Sequence, residues 1–94
     1  MLSISVGDLL KLSNPNIIDI RSEQSFNNNH MPGAKNIPYE KLMSNPNIYL
    51  DKNIKYYIYC QKGITSARLC GRLASLGYKV SSVIGGYEAW ILKY

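Results

Sequence analysis

The stretch "YIYCQKGITSAR" (57–68) limits the fold more than any other: a β-branched and aromatic run stops at a cysteine, turns through a glycine, and opens into a helical pattern. The run begins upstream, as "IKYYIYC" (54–60), and nothing polar divides its C-terminal part, so it reads as the strongest strand of the chain. The segment "TSARLCGRLASLG" (65–77) is the clearest helix. Leu69, Leu73 and Leu76 fall on one stripe with Cys70 and Ala74 beside it, Arg68, Arg72 and Ser75 share the other face, and Gly77 closes the helix.

The same alternation runs through the rest of the chain. Ser5 and Asp8 have the spacing of a capping box that opens a short helix through Leu12, and "SNPN" (13–16) breaks it. "IIDIR" (17–21) has the mostly β-branched character of a buried parallel strand. Ser22 is the next N-cap, with Glu23 suited to a first turn. "MPGAKNIP" (31–38) reads as a turn and a short extended segment, its last proline starting a helix near "YEKLM". "SNPNIYLDKN" (44–53) is a polar connection, "YKVSSVIGG" (78–86) a last strand, and "YEAWILKY" (87–94) a final amphipathic turn or two. Strands and helices alternating through short connections predict an α/β fold with a central, mostly parallel sheet and helices on both faces.

A chain of 94 residues is one small domain, residues 1–94, able to bury about 60–65% of its unfolded surface. With 46% hydrophobic and 18% charged residues the composition is globular. The formal charge of +5 comes from eleven Lys and Arg scattered singly, with no basic run, which suits the attraction of small anions and argues against nucleic-acid binding. No stretch approaches the roughly twenty apolar residues of a membrane span, and the N-terminus, interrupted by Asp8, lacks the basic start of a signal peptide. Two cysteines in such a chain point to reduced thiols and a cytoplasmic location.

Cys60 ends the central strand at the carboxyl edge of the sheet, where open α/β folds bind their ligands. "QKGI" must then turn tightly, and Gly63 gives it that freedom. Such a turn can aim successive backbone N–H groups inward as an anion nest, with the helix dipole behind it and Lys62 on the rim. A sulfur at its centre would be held as thiolate, suited to attack on an anionic substrate. The bland alternative is a small buried hydrophobe at a strand end, which has no need of a basic, hydroxyl-rich loop.

"CQKGIT" (60–65) resembles the active-site loop of the rhodanese sulfurtransferases, in particular the thiosulfate-using type. "DIRSEQSFNNNHMPGAKNIP" (19–38) is similar to that family's first signature, and "GGYEAW" (85–90) resembles its closing Gly-Gly-x-x-x-Trp. The resemblance implies a single rhodanese-like domain that moves a sulfane sulfur from thiosulfate, or a similar small anionic donor, to a thiol, cyanide or protein acceptor through a Cys60 persulfide. It implies no metal or organic cofactor. Gln61, Lys62, Gly63, Ile64, Thr65 and Ser66 would form the substrate-binding loop, with Thr65 closing it by hydroxyl hydrogen bonding. Gln61 stands where the thiosulfate-specific loop often carries Arg, one charge fewer for the donor. The related phosphatases need a longer loop with Arg six positions after the cysteine, where this chain has Ser66, so ester hydrolysis is disfavoured.

Arg21 and Arg68 are candidates for the pocket rim, although a structural pairing of Arg21 with the strand-embedded Asp19 and a solvated Arg68 are the simpler readings. The resemblance gives His30 a role in the turn before Pro-Gly, so a Cys–His dyad is disfavoured. Cys70 packs on the helix's core stripe, and Tyr87 and Trp90 anchor the last helix. Two rivals to the enzyme reading are a non-catalytic rhodanese-like module that binds a partner, and a persulfide relay to a protein in a thiolation pathway.

Overall fold

In the computed structural model, which describes residues 2–94, five strands form one sheet in the order β1-β5-β4-β2-β3, and every pairing is parallel. The strands are β1 (Ser3–Ile4), β2 (Asn16–Asp19), β3 (Lys35–Asn36), β4 (Lys55–Tyr59) and β5 (Lys79–Val83). The helices are α1 (Val6–Leu10), α2 (Glu23–Asn28), α3 (Tyr39–Ser44), α4 (Pro46–Tyr49), α5 (Ile64–Ser75) and α6 (Gly86–Lys93). Side chains alternate across the sheet, and this sorts the core into two layers. Ile18, Ile58 and Val80 point toward α3, α4 and α5, meeting Leu42, Leu50, Leu69, Cys70 and Leu73. Ile17, Tyr59 and Val83 face the other way, against Val6 and Leu9 of α1, Met31, and the half-buried Tyr87, Ala89 and Trp90 of α6. The α/β sheet with helices on both faces is therefore the architecture found.

Several boundaries differ from the sequence expectation. The first helix stops at Leu10, leaving Leu12 exposed; Ser5 does cap it, its hydroxyl accepting from the Asp8 N–H at 3.1 Å. The ladder of β2 ends at Asp19, with Ile20 adding one further bond to the Tyr59 carbonyl. The segment 44–53 is not simply a polar connection: Pro46 starts the four-residue α4, and Leu50 is buried. Leu76 is 48% exposed because α5 ends at Ser75. The closing turn carries the bonds from Gly77 N–H to Ala74 O and from Tyr78 N–H to Leu73 O, which rotate Leu76 off the core stripe. Strand β1, paired on β5 through Ser3 and Ile4, extends the sheet by a strand that two residues of sequence did not announce.

The loop after β2 is fixed by an ion pair. Asp19 is fully buried, and its carboxylate accepts from the Arg21 backbone N–H at 2.8 Å, from Nε at 3.1 Å and from Nη2 at 2.8 Å. Burial alone would lower the Arg21 pKa, but the Asp19 hydrogen bond and charge outweigh it and the net direction is up. The guanidinium also donates to the Asn29 carbonyl at 2.6 Å and stacks 3.9 Å from the Tyr87 ring centroid, so β2, the α2 loop and α6 converge on it. Asp19→Ala would strand that cation in a site where its side chain is only 7% exposed. The expected loss is about 3–5 kcal/mol, a fall in melting temperature of more than about 10 °C for a chain of this size. A thermal melt showing a loss under about 1 kcal/mol would mean that solvent screens the pair.

Candidate active site

Cys60 lies one residue beyond β4, and the chain then reverses direction into α5 within three residues. Gly63 makes that reversal at φ +91°, a left-handed conformation that side chains rarely adopt, and serves as the helix N-cap without a side-chain acceptor of its own. The acceptor is instead the cysteine sulfur. The Gly63 N–H points at Sγ at 3.1 Å and the Ser66 N–H at 3.2 Å. Sγ thus takes the place of a capping oxygen at the positive end of a twelve-residue helix. Both donors favour negative charge on the sulfur.

Above the sulfur opens a cavity of about 300 Å³ lined by Cys60, Gln61, Lys62, Ile64 and Thr65. Lys62 is exposed on this rim, and Ile64, 61% exposed, gives it an apolar lip. A cleft of about 250 Å³ at the opposite end of β2, lined by Pro15, Lys35, Tyr49 and Tyr56 among others, contains no nucleophilic thiol. Among the described residues no cluster of three His, Cys, Asp or Glu side chains is disposed to hold a metal ion.

Other expected site residues fall elsewhere. Ser66 lies fully buried beneath the loop, outside the cavity lining, with its hydroxyl 3.4 Å from Sγ. That hydroxyl, and not that of Thr65, ties the loop by donating to the Gly63 carbonyl at 3.3 Å; Thr65 is exposed and its side chain has no hydrogen bond among the described residues. The reason is helical geometry: Ser66 is the third residue of α5 and turns inward, while Thr65 faces the opening. Arg21 approaches the loop but does not line the cavity, its Nη1 reaching the Gln61 side-chain oxygen at 3.4 Å. Arg68 is exposed and also outside the lining. His30 places Nδ1 3.0 Å from the Phe26 carbonyl and stacks on the Phe26 ring, within its own loop. Cys70 is fully buried, and burial, only partly offset by Lys55, pushes its thiol up to about 12.

The loop rests on α6 as well, a support that no local pattern revealed. The Tyr87 N–H donates to the Cys60 carbonyl at 2.9 Å and the Glu88 N–H to the Gln61 carbonyl at 3.0 Å. The Gln61 amide also donates to the Glu88 carboxylate at 3.2 Å. Two first-turn donors of α6, the Tyr87 and Glu88 N–H groups, which have no partner within their own helix, are therefore satisfied by the carbonyls of the loop that carries the thiol. The Gly-Gly doublet at 85–86 was the available signal, since only residues without side chains let the two backbones approach this closely.

A parallel sheet with a thiol cradled by backbone donors at its carboxyl edge defines a class of cysteine-centred α/β domains. The chain belongs within it to the rhodanese-like domain family, whose profile matches residues 5–93. It is 34% identical over 76 residues to the uncharacterized protein YqhL of Bacillus subtilis (strain 168), covering 79% of this chain and 59% of that protein. It is 32% identical over 88 residues to the thiosulfate sulfurtransferase GlpE of Coxiella burnetii (strain RSA 331 / Henzerling II), covering 93% of this chain and 81% of that enzyme. Among solved structures, a rhodanese-related protein from Thermoplasma volcanium superimposes with a TM-score of 0.90 at 28% identity, over 99% of this chain and 93% of that one. The family match and these relatives place the chain in the rhodanese-like sulfurtransferase family.

Proposed function

We propose that the protein is a thiosulfate-type sulfurtransferase in which Cys60 carries the transferred sulfur as a persulfide. The observation that carries this reading is the pair of backbone N–H groups, Gly63 and Ser66, converging on Sγ beneath an open cavity. In the first half-reaction the Cys60 thiolate attacks the outer sulfur of thiosulfate. The S–S bond to the sulfonate breaks, sulfite leaves with the bonding pair, and Cys60 becomes a persulfide anion. In the second, a thiol, cyanide or a protein acceptor attacks the terminal sulfur and the thiolate returns. Lys62 on the rim pairs with the doubly charged donor, and the formal charge of +5 draws it in. The cavity loop's donors are fixed before substrate arrives and so need no reorganisation as charge moves outward along the persulfide.

Residues 1–94 work in this reading as one rhodanese unit in the cytoplasm, with no nucleic acid or membrane as partner. Its two cysteines are both free, as a reducing compartment would keep them. No helix among the described residues is long and apolar enough to cross a membrane. The GlpE enzyme's own name supports thiosulfate as the donor. Intact mass after incubation with thiosulfate tests the reading. A gain of about 32 Da, one sulfur atom, that cyanide removes is the expected result. No adduct on folded protein whose Cys60 still alkylates would remove thiosulfate as donor and favour a partner-binding module or a relay fed by another protein.

A further inference from the structure

Behind the sulfur lies a second hydroxyl that belongs to none of the motifs. Ser82, on β5 and 2% exposed, places its Oγ 2.7 Å from the Oγ of the fully buried Ser66. Parallel register brings it there: Ser82 stands opposite Ile58 on β4, two residues before Cys60. The three atoms form a chain, Ser82 Oγ to Ser66 Oγ at 2.7 Å and Ser66 Oγ to Sγ at 3.4 Å. Ser66 has one hydroxyl proton and three neighbours that can take it: the Gly63 carbonyl at 3.3 Å, Ser82 Oγ, and Sγ, which donates to Ser66 Oγ as a thiol and can accept from it only as a thiolate. The short contact to Ser82 must hold a proton from one side or the other, and which side decides what remains for the sulfur.

We propose that Ser82 is a positioning residue that acts through Ser66: by donating its own proton to Ser66 Oγ, it frees the Ser66 hydroxyl to donate to the Cys60 thiolate. When Cys60 is a neutral thiol the chain runs backward, with S–H donating to Ser66 Oγ and Ser66 donating to Ser82 or to the Gly63 carbonyl. Every proton stays on its own heavy atom except the one that Sγ exchanges with solvent, so the chain only reorients. Once the charge has moved to the outer sulfur of the persulfide, the Ser66 proton turns back to the Gly63 carbonyl, and the hydroxyl pair favours the resting thiolate over the loaded state. Hydrogen bonds in series polarise one another in a dry interior, so Ser82 strengthens a bond it does not itself make.

The inference rests on the sulfurtransferase reading of Cys60, and its test uses a readout independent of sulfur transfer: the pH dependence of Cys60 alkylation by iodoacetamide, followed by peptide mass. In Ser82→Ala the rate at pH 7 is expected to fall about threefold to tenfold, the scale of one weakened charge-assisted bond, while the limiting rate at high pH is unchanged. Ser66→Ala lowers the neutral rate at least as far, and adding Ser82→Ala to it changes nothing more. Ser82→Thr, which keeps the hydroxyl, restores the wild-type profile. Should Ser82→Ala fail to fold, Ser82→Cys, near in size and a weaker donor, gives a smaller fall in the same direction.

A Ser82→Ala or Ser82→Cys profile that overlays the wild type overturns the proposal, as does an undiminished Ser82 effect once Ser66 is gone. Thiosulfate loading of the same variants keeps the two readings apart. Absent loading with the Ser82 dependence intact leaves the hydroxyl chain standing and removes the enzyme role. Normal loading without that dependence removes the chain alone.

Discussion

Replacing Cys60 by serine is expected to abolish sulfur loading from thiosulfate while leaving the fold intact. The serine oxygen can occupy the same cap position and accept from the Gly63 and Ser66 N–H groups, which now lie 3.1 and 3.2 Å from Sγ. The loop therefore keeps its acceptor, and thermal stability should change by no more than about 1 kcal/mol. A hydroxyl at neutral pH, however, is neither ionised nor nucleophilic toward sulfur. The mass gain and the formation of thiocyanate from cyanide should both disappear. The second thiol cannot take over, because Cys70 is fully buried and its thiol is pushed up to about 12. Loading that persists in Cys60→Ser, on any residue, would show that the cradle holds its sulfur for structural reasons and that the carrier lies elsewhere.

How much of this was legible in the sequence follows from how far each interaction reaches along the chain. The thiol, the turn and the start of α5 occupy seven consecutive residues, so local rules sufficed to place Cys60, Gly63 and the helix around one point. Ser5 and Ser22 were readable as caps for the same reason, each accepting from the N–H three residues on. Strand β1, two residues long, carries no periodicity, and α4 begins with the Pro-Asn pair that ordinarily marks a turn. Assigning hydroxyl closure to Thr65 failed on a one-residue difference in helical phase, which moved the role to Ser66.

The supports of the loop were hidden for a different reason. Arg21 meets Gln61 across 40 residues and Ser66 meets Ser82 across 16, and both contacts are created by the register of the parallel sheet. A sequence fixes such register only through the packing of the whole core. The Gly-Gly doublet, read in the sequence only as part of a closing motif, is where the backbone of α6 meets the Cys60 loop.

That close approach makes Gly86→Ala the substitution outside the thiol expected to slow sulfur transfer most. Gly86 sits at φ +57°, and a Cβ placed there would overlap the Cys60 carbonyl oxygen and lie 2.9 Å from the Gly63 nitrogen and 3.1 Å from the Gln61 carbonyl carbon. All three are backbone atoms of the loop, so no rotamer change relieves the overlap. The loop and α6 must separate, and the bonds from Tyr87 and Glu88 to the Cys60 and Gln61 carbonyls lengthen or break. Gly33→Ala provides the comparison: its φ is +82°, yet nothing lies within 4 Å of the added carbon. It should cost only the left-handed strain of about 1–2 kcal/mol, with sulfur transfer unchanged. Gly86→Ala should cost at least about 3 kcal/mol, and the folded fraction should transfer sulfur about a hundredfold more slowly, as a displacement near 1 Å of a reacting group does. Denaturant melts and thiosulfate-to-cyanide rates on the two variants separate strain from loop displacement. If Gly86→Ala matched Gly33→Ala in both, the support from α6 would be incidental and the cradle would be rigid by itself.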